Sequence, residues 1–406
     1  MNDLPTIHRL RGNWFVMIAI IFVASTLRAP LTAVGPVIDE IKSAMMINNS
    51  VAGIITTIPL VIFAIVSPFV SKVTSRLTMS RTVLFSTILV IVALIIRVVG
   101  DFNLFIVGTV LLGVGIAFGN VVLPSYVKWY FPLQIGIVTG IYSATMNFTA
   151  GVGGGLSYPL STIVPAWGFR FSLVFWLLFA VIAIVMWLKV VNNGVRQEMH
   201  EKQNRDMSTH RKYPMVKSKL AWTIALAMGF QSMIFYTVVA WVPSILIDRG
   251  LDPSTAGYLL MLNQFAQVPM TFSFPIIAAK LKDQRLLVMI IAALYIVGFS
   301  LFFTQSLVLL IIGMVIAGLA MGACFSLCMT FFSIRARTQD GSISLSGFGQ
   351  SIGYLVAAVG PFLIGYLHDA TGNWVSGIIA LLVMSSLFFV FGYTSARDRV
   401  VEQDFE

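Results

Sequence analysis

Long apolar segments alternate with short polar connections along nearly the whole chain. A helix that crosses a bilayer needs about 20 mostly apolar residues. The pattern predicts twelve such helices, at residues 14–36, 50–71, 82–100, 104–127, 136–160, 169–190, 220–246, 255–279, 286–304, 307–332, 342–367 and 375–395. Six fall on each side of one long polar stretch. The sequence therefore predicts an all-α polytopic membrane protein with two six-helix bundles, at 1–190 and 220–406, joined by a linker at 191–219.

The two predicted bundles are copies of one pattern. Landmark residues recur at a nearly constant offset: 205 positions for Gly113 and Gly318, Gly136 and Gly341, and Gly155 and Gly360, and 207 positions for Pro36 and Pro243. An offset near half the chain length indicates two pseudo-symmetric halves with the same orientation. Parallel repeats of this kind are a transporter architecture, with the substrate site between the halves near the middle of the bilayer.

Composition and charge agree with a membrane location. The mean hydropathy is +0.92 and 10% of the residues are charged, against about 25% in a soluble domain. Of the 26 Lys and Arg, 21 lie in tails, linker or connections on one predicted face, and four lie on the other face: Lys42, Arg97, Arg170 and Arg249. This bias predicts that both termini are cytoplasmic. It also makes the lipid bilayer, and not nucleic acid, the expected partner of the net charge of +10.

Titratable and catalytic groups are missing from the predicted membrane interior. None of the 16 acidic residues falls in the middle of a predicted helix, and His368 lies at the outer end of the eleventh. Proton-coupled carriers usually need such a group within the membrane. Cys324 and Cys328 are interpreted as packing residues, and no cofactor or metal site is predicted. No nucleophile–base set, phosphate loop or zinc-protease motif appears, so an enzyme is not expected.

One charge lies deep in a predicted helix. Arg28 is about fourteen residues from the start of the first helix, or roughly 21 Å at 1.5 Å per residue. Burying it there costs about 2.5–3.5 kcal/mol, so it is expected to face a polar cavity. It is either a fixed positive charge for an anionic or electron-rich substrate or a structural lock between helices. Pro30 and Pro36 predict irregular backbone beside it.

Further polar and aromatic side chains within the helices are candidate substrate contacts. They are Asn120, Tyr142, Asn147, Gln231, Phe235, Tyr236, Trp241, Asn263, Gln264, Gln267, Gln350 and Tyr354. Each of those with a polar group is either a ligand contact or a hydrogen bond between helices. The offset of 207 places Phe235 opposite Arg28, which predicts a cation–π contact in the empty protein.

Two stretches carry a family resemblance. The segments Leu27–Pro36 (LRAPLTAVGP) and Gly349–Pro361 (GQSIGYLVAAVGP), with Gly365–Asp369 (GYLHD), resemble the cyanate/2-nitroimidazole porter branch of the major facilitator superfamily. The loop 71–81 keeps the basic residues of the superfamily's loop motif but lacks its Gly and Asp. The resemblance implies the major facilitator fold, with the first, fourth, seventh and tenth helices lining the cavity.

Together these observations predict a secondary active or facilitative transporter in a bacterial plasma membrane. It is expected to move a small anion or small heteroaromatic compound, cyanate- or nitroimidazole-like, by alternating access, as a monomer. One alternative is a proton-coupled multidrug exporter of the same fold. Another is a membrane sensor that binds its ligand without moving it.

Overall fold

The computed structural model describes residues 14–47, 49–206, 213–251 and 253–405, and this part of the chain contains helices and connections but no strand. The principal helices are α1 (Trp14–Thr26), α2 (Asn49–Arg76), α3 (Met79–Val99), α4 (Phe102–Tyr130), α5 (Ile135–Ile163), α6 (Leu177–Asp206), α7 (Lys219–Asp248), α8 (Pro253–Lys280), α9 (Arg285–Ser300), α10 (Leu307–Ile334), α11 (Gln339–Thr371) and α12 (Val375–Ser395). The predicted all-α polytopic architecture is confirmed.

Ten helical segments of the described chain have the length and hydropathy of a membrane crossing. Helices α5 and α8 are long enough, at 29 and 28 residues, but they are richer in glycine and polar side chains. The sixth predicted helix begins as a short helix, Phe169–Val174, and α6 then runs on to Asp206. The beginning of the predicted linker is therefore helical, while residues 207–212 lie outside the described part.

The first predicted helix is not continuous. After α1 the chain forms a short helix, Ala29–Thr32, and a 3-10 turn, Gly35–Val37. Proline has no backbone N–H, so Pro30 and Pro36 each remove one bond of the helical ladder. Arg28 lies at the first break with φ −129° and ψ −41°, outside helical geometry. The prediction of irregular backbone beside the buried arginine is confirmed.

The halves meet along helices that approach closely. Helix α5 packs on α8, α2 packs on α11, and α4 contacts both α10 and α11. A Cβ atom at Gly140 of α5 would lie 2.5 Å from the carbonyl oxygen of Phe272, and one at Gly347 of α11 would lie 2.8 Å from that of Ser67. These distances are below van der Waals contact, so glycine is what allows the helix pairs to come together.

The two ends of the molecule differ. We call the end formed by the last turns of α4 and α10 and the 3-10 helix Val401–Phe405 the terminal face, and the opposite end the far face. At the terminal face, Lys128 Nζ donates across the halves to the carbonyl oxygens of Ser333 (3.0 Å) and Ala336. Glu402 accepts from the backbone N–H of Arg337 and of Thr338, at 2.8 and 3.0 Å. The loop after α10 is thus hydrogen-bonded both to Lys128 of α4 and to Glu402 of the C-terminal 3-10 helix.

A buried arginine supports the same loop. Arg335 donates to Gln284 and to the carbonyl oxygen of Ala396. Burial lowers the pKa of Arg335 to about 10, so the side chain stays charged near neutral pH. The terminal face is therefore joined by charge-assisted hydrogen bonds. Toward the far face the halves also meet through aromatic rings, such as Phe148 stacked on Phe265.

Candidate functional site

A buried arginine of the first half lies against helices of the second half. The Arg28 side chain is buried, with 8% of its surface exposed. Its Nη1 donates to Asn147 Oδ1 of α5. The Asn147 amide in turn donates to Thr271 Oγ1 of α8 at 2.8 Å. The helix break at Arg28 and the α5 amide together fix the direction of the guanidinium.

Two phenylalanine rings of the second half flank this guanidinium. Its carbon lies 4.4 Å from the centroid of Phe235 in α7 and 4.0 Å from the centroid of Phe325 in α10. Both distances are within the range of a cation–π attraction. The predicted contact between Arg28 and Phe235 is therefore present. We call Arg28, Asn147, Phe235 and Phe325 the Arg28 cluster.

No carboxylate of the described side chains contacts Arg28. The Tyr236 ring lies edge to face with the Phe235 ring, at 5.1 Å between centroids. An arginine buried at this depth is usually compensated by a negative partner. The cluster supplies two rings and an amide, so its positive charge is available to an anionic or electron-rich ligand.

A second group of candidate residues lies where α11 meets α2 and α4. The Tyr354 ring of α11 lies 4.8 Å from that of Phe63 in α2. Gln350 Nε2 of α11 donates to the Asn120 carbonyl oxygen of α4 at 3.1 Å. These contacts join the two halves. We call Asn120, Gln350 and Tyr354 the polar floor.

The three amides of α8 form a row along that helix. Gln267 Nε2 donates to Gln264 Oε1 at 3.0 Å, and Asn263 Nδ2 donates to the Met314 carbonyl oxygen at 2.7 Å. Gln267 Oε1 has no hydrogen-bond partner in the described structure. Asn263 thus ties α8 to α10, whereas Gln267 retains a free acceptor.

Three other candidates are placed apart from this arrangement. The Trp241 indole donates to the Pro361 carbonyl oxygen at 2.7 Å, and its ring lies 5.6 Å from that of Trp374. Its contacts are therefore at the far end of α7 and α11. Tyr142 and Gln231 are buried, and Gln231 Oε1 accepts from Ser232 at 3.1 Å. No described contact joins these three side chains to Arg28.

Two residues of the arrangement, Phe325 and Thr271, are absent from the sequence-based set. A signal for Phe325 was present, because the offset of 205 that relates Gly113 to Gly318 also relates Asn120 to Phe325. Thr271 carries no such signal. One further expectation is wrong: Arg97, assigned to an outer connection, is 1% exposed and lies within the last turn of α3. Its side chain reaches the broken first span, which keeps it out of solvent.

Comparison with curated proteins gives relatives over nearly the full length. The chain is 35% identical to an "Uncharacterized transporter YycB" of Bacillus subtilis (strain 168), with coverage of 98% of this chain and 97% of the relative. It is 33% identical to the "2-nitroimidazole transporter" of Escherichia coli (strain K12), with coverage of 96% and 97%. It is 26% identical to the "Cyanate transport protein CynX" of the same organism, with coverage of 94% and 98%.

The fold has solved counterparts. The crystal structure of FucP, a major facilitator transporter "in the outward conformation", superposes with a TM-score of 0.69 at 12% identity, covering 94% of this chain and 98% of FucP. Identity at that level shows the fold alone. The family model described as "Major Facilitator Superfamily" matches residues 14–358. The chain belongs to the Major Facilitator Superfamily of membrane transporters, within its cyanate/2-nitroimidazole porter branch.

Proposed function

We propose that this protein is a secondary active or facilitative transporter for a small anion or a small heteroaromatic compound, cyanate- or nitroimidazole-like. The Arg28 cluster is its substrate site. The observation that carries the proposal is a buried guanidinium that contacts no described carboxylate and lies between two rings of the other half.

The chemistry of the cluster suits a small planar ligand. Guanidinium is a planar fork that binds two acceptor atoms at once, as in a nitro group or a carboxylate. Because Arg28 Nη1 already donates to Asn147 Oδ1, the other N–H groups of the guanidinium are the ones available to a ligand. Phe235 and Phe325 supply apolar faces that accept a flat, weakly hydrated molecule. The names of two relatives, a 2-nitroimidazole transporter and a cyanate transport protein, agree with this class.

Movement of the substrate follows from the position of the cluster between the halves. In parallel-repeat carriers the halves rock about a site near the bilayer midplane. The Arg28 cluster and the polar floor both contain residues of each half, so rocking would open one side of the site and close the other. The bonds of Lys128 to the carbonyl oxygens of Ser333 and Ala336 close the terminal face. We assign this structure to the state that is closed at the terminal face.

The orientation of the protein rests on its basic residues. The terminal face includes Lys128, Arg335 and Arg337, and the basic linker is predicted on the same side. By the bias of Lys and Arg toward the cytoplasm, this face is cytoplasmic in a bacterial inner membrane, with both termini inside. The protein is expected to act as a monomer, because each half of the site comes from the same chain.

The test is ligand binding and flux with purified protein. We expect sodium cyanate, sodium nitrite or 2-nitroimidazole to raise the melting temperature of the wild type and to enter proteoliposomes that contain it. Arg28→Gln should remove the response and the flux while keeping the melting temperature of the empty protein. Arg28→Lys should recover only part, because an ammonium group cannot form the planar fork.

Arg170→Gln is the matched control. Arg170 is exposed near the far face and donates to the Gly100 carbonyl oxygen at 3.4 Å, so its loss should leave binding unchanged. Flux of wild-type magnitude through Arg28→Gln would refute the binding role of Arg28. An Arg28→Gln protein that does not fold would instead assign Arg28 to a structural lock.

A further inference from the structure

The break in the first span releases a buried carbonyl group. In a continuous helix the N–H of Val34 would bond to the Pro30 carbonyl oxygen, four residues earlier. Here it donates to the Leu31 carbonyl oxygen instead, at 3.4 Å. The Pro30 residue is buried. A buried carbonyl without a donor costs free energy, so the break needs a replacement for the lost N–H.

Arg97 supplies that replacement from another helix. Its Nη1 lies 3.2 Å from the Pro30 carbonyl oxygen, and its guanidinium carbon lies 5.0 Å from the Phe105 ring centroid. A Cβ atom at Gly108 would come within 2.6 Å of Arg97 Cγ, so glycine at that position makes room for the side chain. The described structure shows no ion pair for Arg97. Arg97 is thus a second buried arginine in the bilayer region, and its hydrogen bond in the described structure goes to one backbone oxygen.

The segment that carries Arg28 is held on its other side by α5. Thr32 Oγ1 donates to the Ala150 carbonyl oxygen at 2.9 Å, and Ser157 Oγ donates to the carbonyl oxygen of Ala33. The residues from Arg28 to Ala33 therefore lie between an anchor on α3 and anchors on α5. All of these anchors belong to the first half. They can persist while the second half, with Phe235 and Phe325, moves.

We propose that Arg97 is a positioning residue for the substrate site: its bond to the Pro30 carbonyl fixes the broken segment and thereby aims Arg28 between Phe235 and Phe325. The inference rests on the proposed function of Arg28 as the binding group. Arg97 does not contact the ligand. It acts two residues away from Arg28, through the short helix Ala29–Thr32, in which the N–H groups of Leu31 and Thr32 donate to the Arg28 carbonyl oxygen.

The experiment follows Arg28 directly. In protein labelled with 15N-arginine, the Arg28 Nε–H resonance is assigned by its loss in Arg28→Lys, and the two flanking rings shift it from the solvent position. We expect Arg97→Gln to move this resonance toward the solvent position and to raise the Kd for 2-nitroimidazole or cyanate about tenfold, as the loss of one charged hydrogen bond implies. Arg97→Lys should restore part of both. Arg170→Gln should change neither.

The Arg28 resonance is measured without ligand, so the binding role of Arg28 and the positioning role of Arg97 can be refuted independently. If the wild type binds none of the probes, the binding role of Arg28 is wrong, yet the resonance still reports whether Arg97 aims it. If the Arg28 resonance and the Kd both stay at wild-type values in Arg97→Gln, the positioning role is overturned. Should Arg97→Gln fail to fold, Gly108→Ala moves Arg97 while keeping its charge, because the added Cβ would lie 2.6 Å from Arg97 Cγ and 2.9 Å from its backbone nitrogen. An unshifted Arg28 resonance in that variant would overturn the inference equally.

Discussion

The two halves share a fold but contribute opposite chemistry to the site. The offset of 207 pairs Arg28 with Phe235, and the offset of 205 pairs Asn120 with Phe325. At both positions the first half has a polar side chain and the second half a ring. Some glycines at close helix contacts recur in both halves, as Gly113 does in Gly318, whereas the residues at the centre do not. Duplication has kept the packing rules and diverged where the ligand is expected to bind.

This asymmetry has a physical basis. A site with a guanidinium in each half would place two positive charges in a low-dielectric region, where like charges repel strongly. A site with a ring in each half would have no charge to select a ligand. One guanidinium between two rings combines electrostatic attraction with an apolar surface. If this asymmetry matters, and not merely the contact between arginine and ring, the two partners cannot be exchanged without loss of binding.

Exchanging Arg28 and Phe235 is the strongest test of this asymmetry. The double variant Arg28→Phe with Phe235→Arg keeps one arginine and one ring at the junction. We expect at least about a hundredfold loss of binding, because the new arginine lacks the bond to Asn147 and the support of the broken segment. The measurement is the Kd for 2-nitroimidazole or cyanate, with the melting temperature as the check on folding. Binding within tenfold of wild type would show that the contact alone suffices.

Removing the bond between the halves at the terminal face should shift the conformational equilibrium. Lys128→Met loses charged hydrogen bonds to Ser333 and Ala336. Such bonds contribute about 1.5–3 kcal/mol each, so we expect about a tenfold or greater rise in the population open at this face. Cys324 and Cys328 are first replaced by Ser, and Asn120→Cys then supplies one thiol near the junction. The measurement is the rate at which a polar thiol reagent, added at the terminal face, labels that thiol.

The matched control at the terminal face is Lys189→Met. Lys189 is an exposed residue of α6, so its replacement should leave the labelling rate near that of the parent. An unchanged rate in Lys128→Met would contradict the gate assignment.

The rings should matter less than the charge. Phe235→Ala and Phe325→Ala each remove one cation–π contact, worth about 0.5–2 kcal/mol, and we expect each to raise the Kd about five- to tenfold. Phe389→Ala on the peripheral helix α12 serves as the control and should change the Kd less than twofold. Trp241→Ala should lower stability through the lost bond to Pro361 with little change in Kd. Equal losses of binding in all four variants would place the pocket elsewhere.

The smallest effect is expected from a pH gradient. No Asp, Glu or His of the described side chains contacts Arg28, so the cluster offers no proton carrier. In proteoliposomes with the voltage clamped, an imposed pH gradient should not drive accumulation of 2-nitroimidazole, whose transport is followed with radiolabel. Accumulation against its gradient would show a proton site and favour the proton-coupled exporter.

The sequence predicted where the spanning helices lie and which of them pair across the two halves. Apolar run length fixes the spans, the distribution of Lys and Arg predicts the orientation, and the repeat pairs α1 with α7 and α4 with α10. From these, a buried Arg28 opposite Phe235 follows. The breaks beside Arg28 also follow, because Pro30 and Pro36 cannot donate to the helical ladder.

Only the tertiary structure decided which way each side chain faces. In a soluble helix the apolar stripe marks the buried face, but in a bilayer both lipid and protein interior are apolar, so the pattern carries little rotational information. Hence Trp241 turns to the far end, Arg97 turns inward to the Pro30 carbonyl oxygen, and Phe325 joins the cluster. Each of these orientations depends on a partner remote in sequence, such as the Pro30 carbonyl that the helix break leaves without an N–H donor. The local pattern of residues does not specify it.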